Sequence, residues 1–229
     1  MKKLAMVMIA LIGAMLTVSM ALAAVPQGTD NTALVDEGDY DFGTIGTADV
    51  TSGHVYYSDL NTNVSSFKWA GLYGNVSGNI VLSDDDQDIL YHWAANGRVV
   101  YATEAGTPDW TSMSDALRAD VVGDYAHIDT ADKDNYSNTF VGGVENIGSA
   151  LYVTLDSDFA QTYDASESVS WKTYSVQDAV GNLVFAGLVQ EGGAESYKGT
   201  TVDYQMILPE DGTAGDLTAT TYNLFAELQ

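Results

Sequence analysis

Cysteine is missing from all 229 residues, proline occurs three times, and lysine and arginine together supply eight residues against 32 aspartates and glutamates. Without a thiol the chain has no disulfide, no cysteine nucleophile, no cysteine-ligated zinc, no iron–sulfur cluster and no thioether-attached haem. The shortage of positive charge excludes other partners, because a formal net charge of −24 repels nucleic acid and anionic lipid. Histidine is also scarce. His54, His92 and His127 stand far apart in sequence, and neither a G-x-S-x-G elbow nor an H-E-x-x-H pair is present. Val141-Gly142-Gly143 and Glu191-Gly192-Gly193 lack the lysine and the strand–helix context of a phosphate loop, so they read as turns. Among so many carboxylates some pair always falls at the separation glycoside hydrolysis needs, so none is singled out, and the expectation is a protein without enzymatic activity.

One long apolar run is present, at the start. Lys2 and Lys3 precede an apolar stretch from Leu4 to about Val18, and Ala21-Leu22-Ala23 fits a small-residue cleavage site. Residues 1–23 are therefore expected to be a signal peptide; an uncleaved anchor is the other reading, for which the run is short of the ~20 residues a span requires. No later stretch is apolar enough to cross a membrane, which predicts an extracellular or cell-surface chain with no membrane partner after cleavage. Removing the leader takes away two lysines and no acid, moving the formal charge from −24 to −26. Such a surface suits a medium rich in salt or divalent cations, which screen self-repulsion.

Residues 24–50 are polar, acidic and rich in glycine and threonine, and read as an arm that is either flexible or able to donate a strand to a neighbouring subunit. Residues 51–229 carry the fold. Fourteen tyrosines, 22 glycines and many valines and threonines favour strands and turns. Strand-like runs are expected at Thr51–Leu60, across Phe67–Leu82 with breaks at glycines, and at Ile89–Trp93 and Arg98–Thr103 joined by an Asn96-Gly97 turn. Others follow at Ala150–Leu155, Val169–Val176, Leu183–Val189, Val202–Leu208 and Thr218–Leu228. In Asp109–Val122, apolar Trp110, Met113, Leu117 and Val121 recur at helical spacing behind Ser112-x-x-Asp115, predicting one short helix. The class expected is all-β, an antiparallel β-sandwich with one short helix on a connection, with a barrel as the alternative.

Two hairpins share a layout. Ile80–Trp93 (IVLSDDDQDILYHW) aligns with Tyr174–Gly187 (YSVQDAVGNLVFAG), matching Asp84 with Asp178 and Asp88 with Asn182. Asp opens both turns, where its carboxylate can bind its own backbone. A four-residue loop at Asp84–Gln87 would pair Ser83 with Asp88, Ile80 with Tyr91, and Gly78 with Trp93. The second turn works with one carboxylate, so the additional acids of the first need an explanation. Asp84, Asp86 and Asp88 have the D-x-D-x-D spacing of oxygen-ligand loops and are the candidate calcium ligands; a solvated acidic turn is the other reading. Asp129, Asp132 and Asp134, and Asp156 with Asp158, are further acidic candidates. Asn63, Asn75 and Asn135 head N-x-S/T sequons and are candidate glycosylation sites. Trp69, Trp93, Trp110 and Trp171 read either as core or as a sugar-stacking platform.

The stretch from Trp69-Ala70-Gly71-Leu72-Tyr73-Gly74-Asn75-Val76-Ser77-Gly78 through Val81-Leu82-Ser83-Asp84 to Leu90-Tyr91-His92-Trp93 resembles exported archaeal surface proteins of undefined activity. So does the C-terminal stretch from Thr201 through Tyr204-Gln205-Met206-Ile207-Leu208-Pro209-Glu210-Asp211-Gly212 to Thr220-Thr221-Tyr222-Asn223-Leu224-Phe225-Ala226-Glu227-Leu228. The resemblance covers about a third of the chain and implies an archaeal extracellular β protein, such as a filament, sheath or matrix subunit. The leading expectation is a self-assembling structural protein whose partner is itself. A calcium-dependent carbohydrate-binding adhesin is the alternative.

Overall fold

The structure is a computed structural model that describes residues 26–28, 51–52, 66–141, 158–210 and 219–229. The expected signal peptide, most of the expected arm, the strands expected over Thr51–Leu60 (beyond Thr51 and Ser52) and Ala150–Leu155, and Asn63, His54 and Asp156 lie outside the described residues. In chain order the strands are β1 (Gln27–Gly28), β2 (Trp69–Gly74), β3 (Ser77–Ser83), β4 (Ile89–Thr103), β5 (Met113–Asp115), β6 (Phe159–Tyr163), β7 (Val169–Asp178), β8 (Leu183–Leu188), β9 (Ala194–Glu195), β10 (Thr201–Val202), β11 (Tyr204–Pro209) and β12 (Asn223–Leu228). The helical pieces are α1 (Arg118–Asp124), a 3-10 turn at Ala126–Ile128, and α2 (Tyr136–Thr139).

The run Arg98-Val-Val-Tyr-Ala-Thr103 explains the centre. Its uncharged residues are too continuously apolar for a sheet with one wet face, and both faces are in fact buried. Val99 and Tyr101 point to one side, Val100 and Ala102 to the other, and all four are 3% exposed or less. This half of β4 is held between β12 and β8 in the order β1-β12-β4-β8-β7-β5, with β3 continuing along β4 and β6 along β7. Every ladder among the described residues is antiparallel. β8 alternates in the same way, with Leu183 and Phe185 on one face and Val184 and Ala186 on the other.

A small second layer covers the first of these faces. β11 and β2 pair from Tyr204 with Gly74 to Pro209 with Trp69, and their Tyr204, Met206 and Leu208 close over Val100, Ala102 and Phe185 together with Val121, Tyr125 and Ile128 of the helical segment. On the opposite face Phe159, Tyr174 and Val176 pack with Val99, Tyr101 and Trp110. Burying each large side chain of this kind contributes about 1.5–3 kcal/mol. The molecule is therefore the expected all-β, antiparallel, sandwich-like fold, with one helix as long as seven residues among the described residues. The buried Gln205 amide is fully engaged: it donates to Thr162 Oγ1 (2.8 Å) and the Tyr163 carbonyl (2.9 Å) and accepts from the Tyr197 N–H (3.0 Å).

Three expectations need correction. The helix read over Asp109–Val122 begins only at Arg118, because Met113–Asp115 is drawn into the sheet beside β7, where Met113 pairs with Asp178. The cap is Asp120, reaching back to the Leu117 N–H at 2.9 Å, rather than Ser112 with Asp115. Asn96-Gly97 is not a turn: β4 runs straight through it. A Cβ on Gly97 would lie 2.6 Å from Val76 Cγ1, so glycine is required there by close packing. The hairpin register also differs. Asp84 and Asp88 close a three-residue loop, a bulge follows between Leu82 and Ser83, and Ile80 faces Trp93 while Gly78 faces Ala95. A Cβ on Gly78 would meet Leu228 Cδ1 at 2.6 Å, so the leucine of β12, not the indole, fills the space above this glycine.

The shared turn is real and more frequent than the sequence suggests. Asp84, Asp164, Asp178 and Ser196 each open a loop in which the first N–H donates to the fifth carbonyl and the fourth N–H to the first carbonyl. In the three Asp turns one carboxylate oxygen accepts the third and fifth N–H groups, at 2.8–3.1 Å. The fourth residue sits at positive φ: Gln87 at 68°, Glu167 at 61°, Gly181 at 92° and Gly199 at 76°. Glutamine and glutamate bear a steric cost there of roughly 1–2 kcal/mol that glycine avoids. Glu167→Gly is expected to stabilise the chain by about 0.5 kcal/mol once the added freedom of the unfolded glycine is offset; a urea midpoint that falls would contradict this.

Burial separates the copies. Asp178 is 3% exposed and also accepts from the Asp109 N–H at 2.9 Å and the Asn182 side-chain amide at 2.7 Å. Burial alone would push its carboxyl up, yet these N–H donors outweigh it and hold the group below its ordinary value. Asp178→Ala should cost roughly 2–4 kcal/mol, because four part-buried N–H donors lose a buried acceptor. Asp84→Ala, whose N–H groups meet water, should cost under about 1 kcal/mol. Equal losses in denaturant unfolding would refute the distinction.

Candidate interaction surface

The first half of β4 leaves the body. Beyond Asn96 it is paired with β3 alone, and among the described residues β3 pairs with nothing else. The two strands form a blade whose large apolar residues lie in water: Ile80, Val81, Leu82, Ile89, Leu90, Tyr91 and Trp93 are between 42% and 79% exposed. They occupy both faces, since Ile80 and Leu82 align with Trp93 and Tyr91 while Val81 aligns with His92. Tyr91 and Trp93 stack edge to face, with ring centroids 4.8 Å apart at 61°. Single exposed apolar residues are ordinary on a protein surface, but a contiguous set on both sides of one ribbon marks an interaction site.

The blade is also free of charge along its length. Ser77–Ser83 and Ile89–Gly97 contain no acid, lysine or arginine, in a chain where 17% of residues are charged. The acids are confined to the tip, at Asp84, Asp85, Asp86 and Asp88. There the Asp84 carboxylate is engaged with the Asp86 and Asp88 N–H groups, at 3.1 and 2.9 Å. Among the described residues no three His, Asp or Glu side chains are grouped so as to hold a metal ion. The tip therefore has the geometry of a self-capped turn.

The second acidic loop holds a cation of the chain itself. Lys68 Nζ donates to Thr130 Oγ1 (2.8 Å), Asp132 Oδ2 (2.7 Å) and Asp134 Oδ1 (2.8 Å), and Arg118 pairs with Asp129. Ser66 Oγ donates to the other Asp134 oxygen at 2.8 Å, and the Trp69 indole N–H donates to the Asp134 carbonyl at 2.6 Å. Lysine thus supplies positive charge in the loop that the sequence offered as a further acidic candidate. The Asp158 carboxyl is pushed up by its burial.

The remaining candidates separate. Trp171 is fully buried, Trp69 and Trp110 pack against the two cores, and only Trp93 is open. His92 is exposed on the blade, while His127 packs edge-on against Tyr125. Asn75 is exposed at the β2–β3 connection. Asn135 caps α2, accepting the Asn138 N–H at 2.9 Å and donating to the Thr130 carbonyl at 2.9 Å, so its amide already has a structural task. A cleft of about 720 Å³ carries two carboxylates, Glu104 and Asp124, and no histidine, lysine or arginine in its lining. Glu104 accepts from the Tyr125 hydroxyl, and the Tyr222 hydroxyl donates to the Pro209 carbonyl at 2.7 Å. Burial raises both tyrosines above their usual range, and they brace the wall of the cleft.

Sequence reasoning marked the tip of the blade and missed its sides. The available signal was Ile80-Val81-Leu82 and Ile89-Leu90-Tyr91, apolar at consecutive positions in strands flanking an acidic turn. Such a run has no wet face to offer unless something covers it. Comparison with protein-family models, with curated proteins and with solved structures returned no match, so the functional reading rests on the chain's own geometry.

The lysine-centred loop makes a pH prediction. Asp132 and Asp134 are held below the ordinary carboxylate value of 3.8, in Asp134 against an opposing effect of burial. Burial lowers the Lys68 ammonium, but the two aspartates reverse this and leave it above 10.5. The stability these groups contribute is complete between those ordinary values. It is lost as pH falls below 3.8 through the depressed carboxyl values, or rises past the elevated lysine value. Melting temperature against pH should fall less steeply between pH 5 and 2 for Lys68→Met than for the parent chain, and an identical slope would count against the cluster.

Proposed function

We propose that this chain is an exported, non-enzymatic structural subunit that assembles with copies of itself into an extracellular filament, sheath or matrix, and that the β3–β4 blade is its contact element. The carrying observation is the blade: apolar on both faces, open on its strand edges, and uncharged except at the tip. For a chain of net charge −24 it is the surface on which two copies can meet with least electrostatic opposition. The leader and the resemblance to archaeal surface proteins support the extracellular setting. Gln27 and Gly28 pair with Ala226 and Phe225 of their own chain, which favours the blade over a donated arm as the contact.

Glycan binding is the second reading, favoured by the exposed Tyr91 and Trp93. Their rings are inclined at 61° and offer no common flat platform for a sugar, and the self-capped tip gives calcium little part in it. Insertion into lipid would drive Asp84, Asp85, Asp86 and Asp88 into the hydrocarbon first, a cost of several kcal/mol.

The test is sedimentation velocity and electron microscopy of the mature chain beside an Ile80→Ser, Leu82→Ser, Tyr91→Ser variant. The parent should form concentration-dependent oligomers or fibres. The variant, whose changes are all on exposed side chains, should keep its melting temperature within a few degrees and sediment as a monomer. A parent that stays monomeric at high protein concentration and high salt, or a variant that assembles equally well, would remove the proposal.

A further inference from the structure

The outer edge of β3 is self-complementary, and we infer that two copies of the chain join there, β3 against β3, antiparallel about a two-fold axis through Ile80. This rests on the self-assembly proposed above and adds the register. Asn96 exchanges both backbone bonds with Gln229, the residue that follows β12 (3.2 and 2.9 Å). Its backbone groups therefore point away from β3, so Ser77, which faces Asn96, forms a wide pair. In an antiparallel ladder narrow and wide pairs alternate, so Gly78, Ile80 and Leu82 bond to β4. Ser77, Asn79 and Val81 aim their N–H and C=O groups at the open edge.

A second β3 satisfies those groups most fully in one register. Centring the two-fold on Ile80 pairs Asn79 with Val81 of the other copy and Ser77 with its Ser83, so all seven residues of the strand are matched. Ile80 meets Ile80, and Leu82 lies opposite Gly78, a large side chain beside a glycine. Centring on Asn79 or Val81 also matches outward groups but leaves two residues of each strand unpaired. The arrangement is isologous, with one patch meeting itself.

Charge favours the same arrangement. In this register each acidic tip lies at the root of the other blade. The tips are eight residues apart along the strand direction, or about 27 Å at ~3.4 Å per residue, against a screening length of about 8 Å in physiological salt. A parallel pairing would instead place four carboxylates of each copy side by side. The joined blades form a four-stranded ribbon with apolar faces on both sides, onto which further copies can stack.

The chain has no cysteine of its own, so single-cysteine variants report proximity without background. Under mild oxidation Ile80→Cys should form a disulfide-linked dimer in most of the protein, because the two Cα positions form a close wide pair. Leu82→Cys, four residues out of step with its copy, should link at least tenfold less. Val81→Pro removes an outward N–H that β4 does not use; it should melt like the parent and sediment as a monomer. The inferred pairing fails if Leu82→Cys links as well as Ile80→Cys, or if folded Val81→Pro assembles like the parent. If one of those results appears while the parent still assembles and the triple-serine variant does not, the edge pairing is wrong and the proposed function stands. A parent that never assembles removes both.

Discussion

The backbone bonds that β4 exchanges with β12 on one side and β8 on the other fix Val99 to Thr103 in the middle of the molecule, with side chains buried above and below. The rest of the fold follows from this double commitment. A strand covered on both edges and both faces must be apolar and uncharged throughout, and it demands a layer on each side. β2 and β11 provide one with the helical segment; on the other side Trp110 packs over the sheet beside Phe159 and Tyr174 of β6 and β7. The same strand includes six residues, Ile89–Ala94, that lie beyond that cover and carry the same apolar composition into solvent. The body needs such residues, and the blade uses them where no part of the described chain can hide them.

Acid and base are distributed to match. Three cations are placed against specific carboxylates: Lys68 against Asp132 and Asp134, Arg118 against Asp129, and Arg98 4.0 Å from buried Glu227, which also accepts from the Tyr101 hydroxyl at 2.8 Å. Lys172 and Lys198 lie over the rings of Phe159 and Tyr197. Local order is thereby maintained inside a chain whose overall charge opposes compactness. Elsewhere the aspartates act through backbone N–H groups, as the turns at Asp84, Asp164 and Asp178 do.

Much of this was legible. The β class follows from tyrosine, valine, threonine and glycine, and the Asp turn follows from the chemistry of a short carboxylate beside its own backbone. The register of the first hairpin was not legible, for two identifiable reasons. Gln87 at positive φ makes the loop one residue shorter than assumed, and the bulge at Leu82–Ser83 adds a second displacement in the same direction. Because the two displacements sum to two, the parity of the strand survived: Ile80 and Leu82 do share a face with Tyr91 and Trp93, although each meets a different partner. The helix was misplaced because Met113 and Trp110 are apolar for the sheet's sake, a tertiary demand that periodicity cannot distinguish from helical spacing. The turns at Asp164 and Ser196 were missed because Asp-Ala-Ser-Glu-Ser and Ser-Tyr-Lys-Gly-Thr share little with the first example beyond a first side chain that accepts hydrogen bonds. The bare sides of the blade were not legible because exposure is not written in composition; it depends on how far the neighbouring strands extend.

The blade and the body also differ in how far apart along the chain their partners lie. β3 and β4 meet across a loop of three residues and can zip in about 1–10 μs. β2 must find β11, where Trp69 meets Pro209, and β4 must find β12, where Ala102 meets Leu224, closures that cost loop entropy before any contact rewards them. In the order of events the open edge therefore precedes the body that carries it. If copies pair through this edge as proposed, their encounters can begin through a hairpin already in its final form while the core is still unassembled, and conditions that slow closure of the core should then favour assembly over a free, finished subunit.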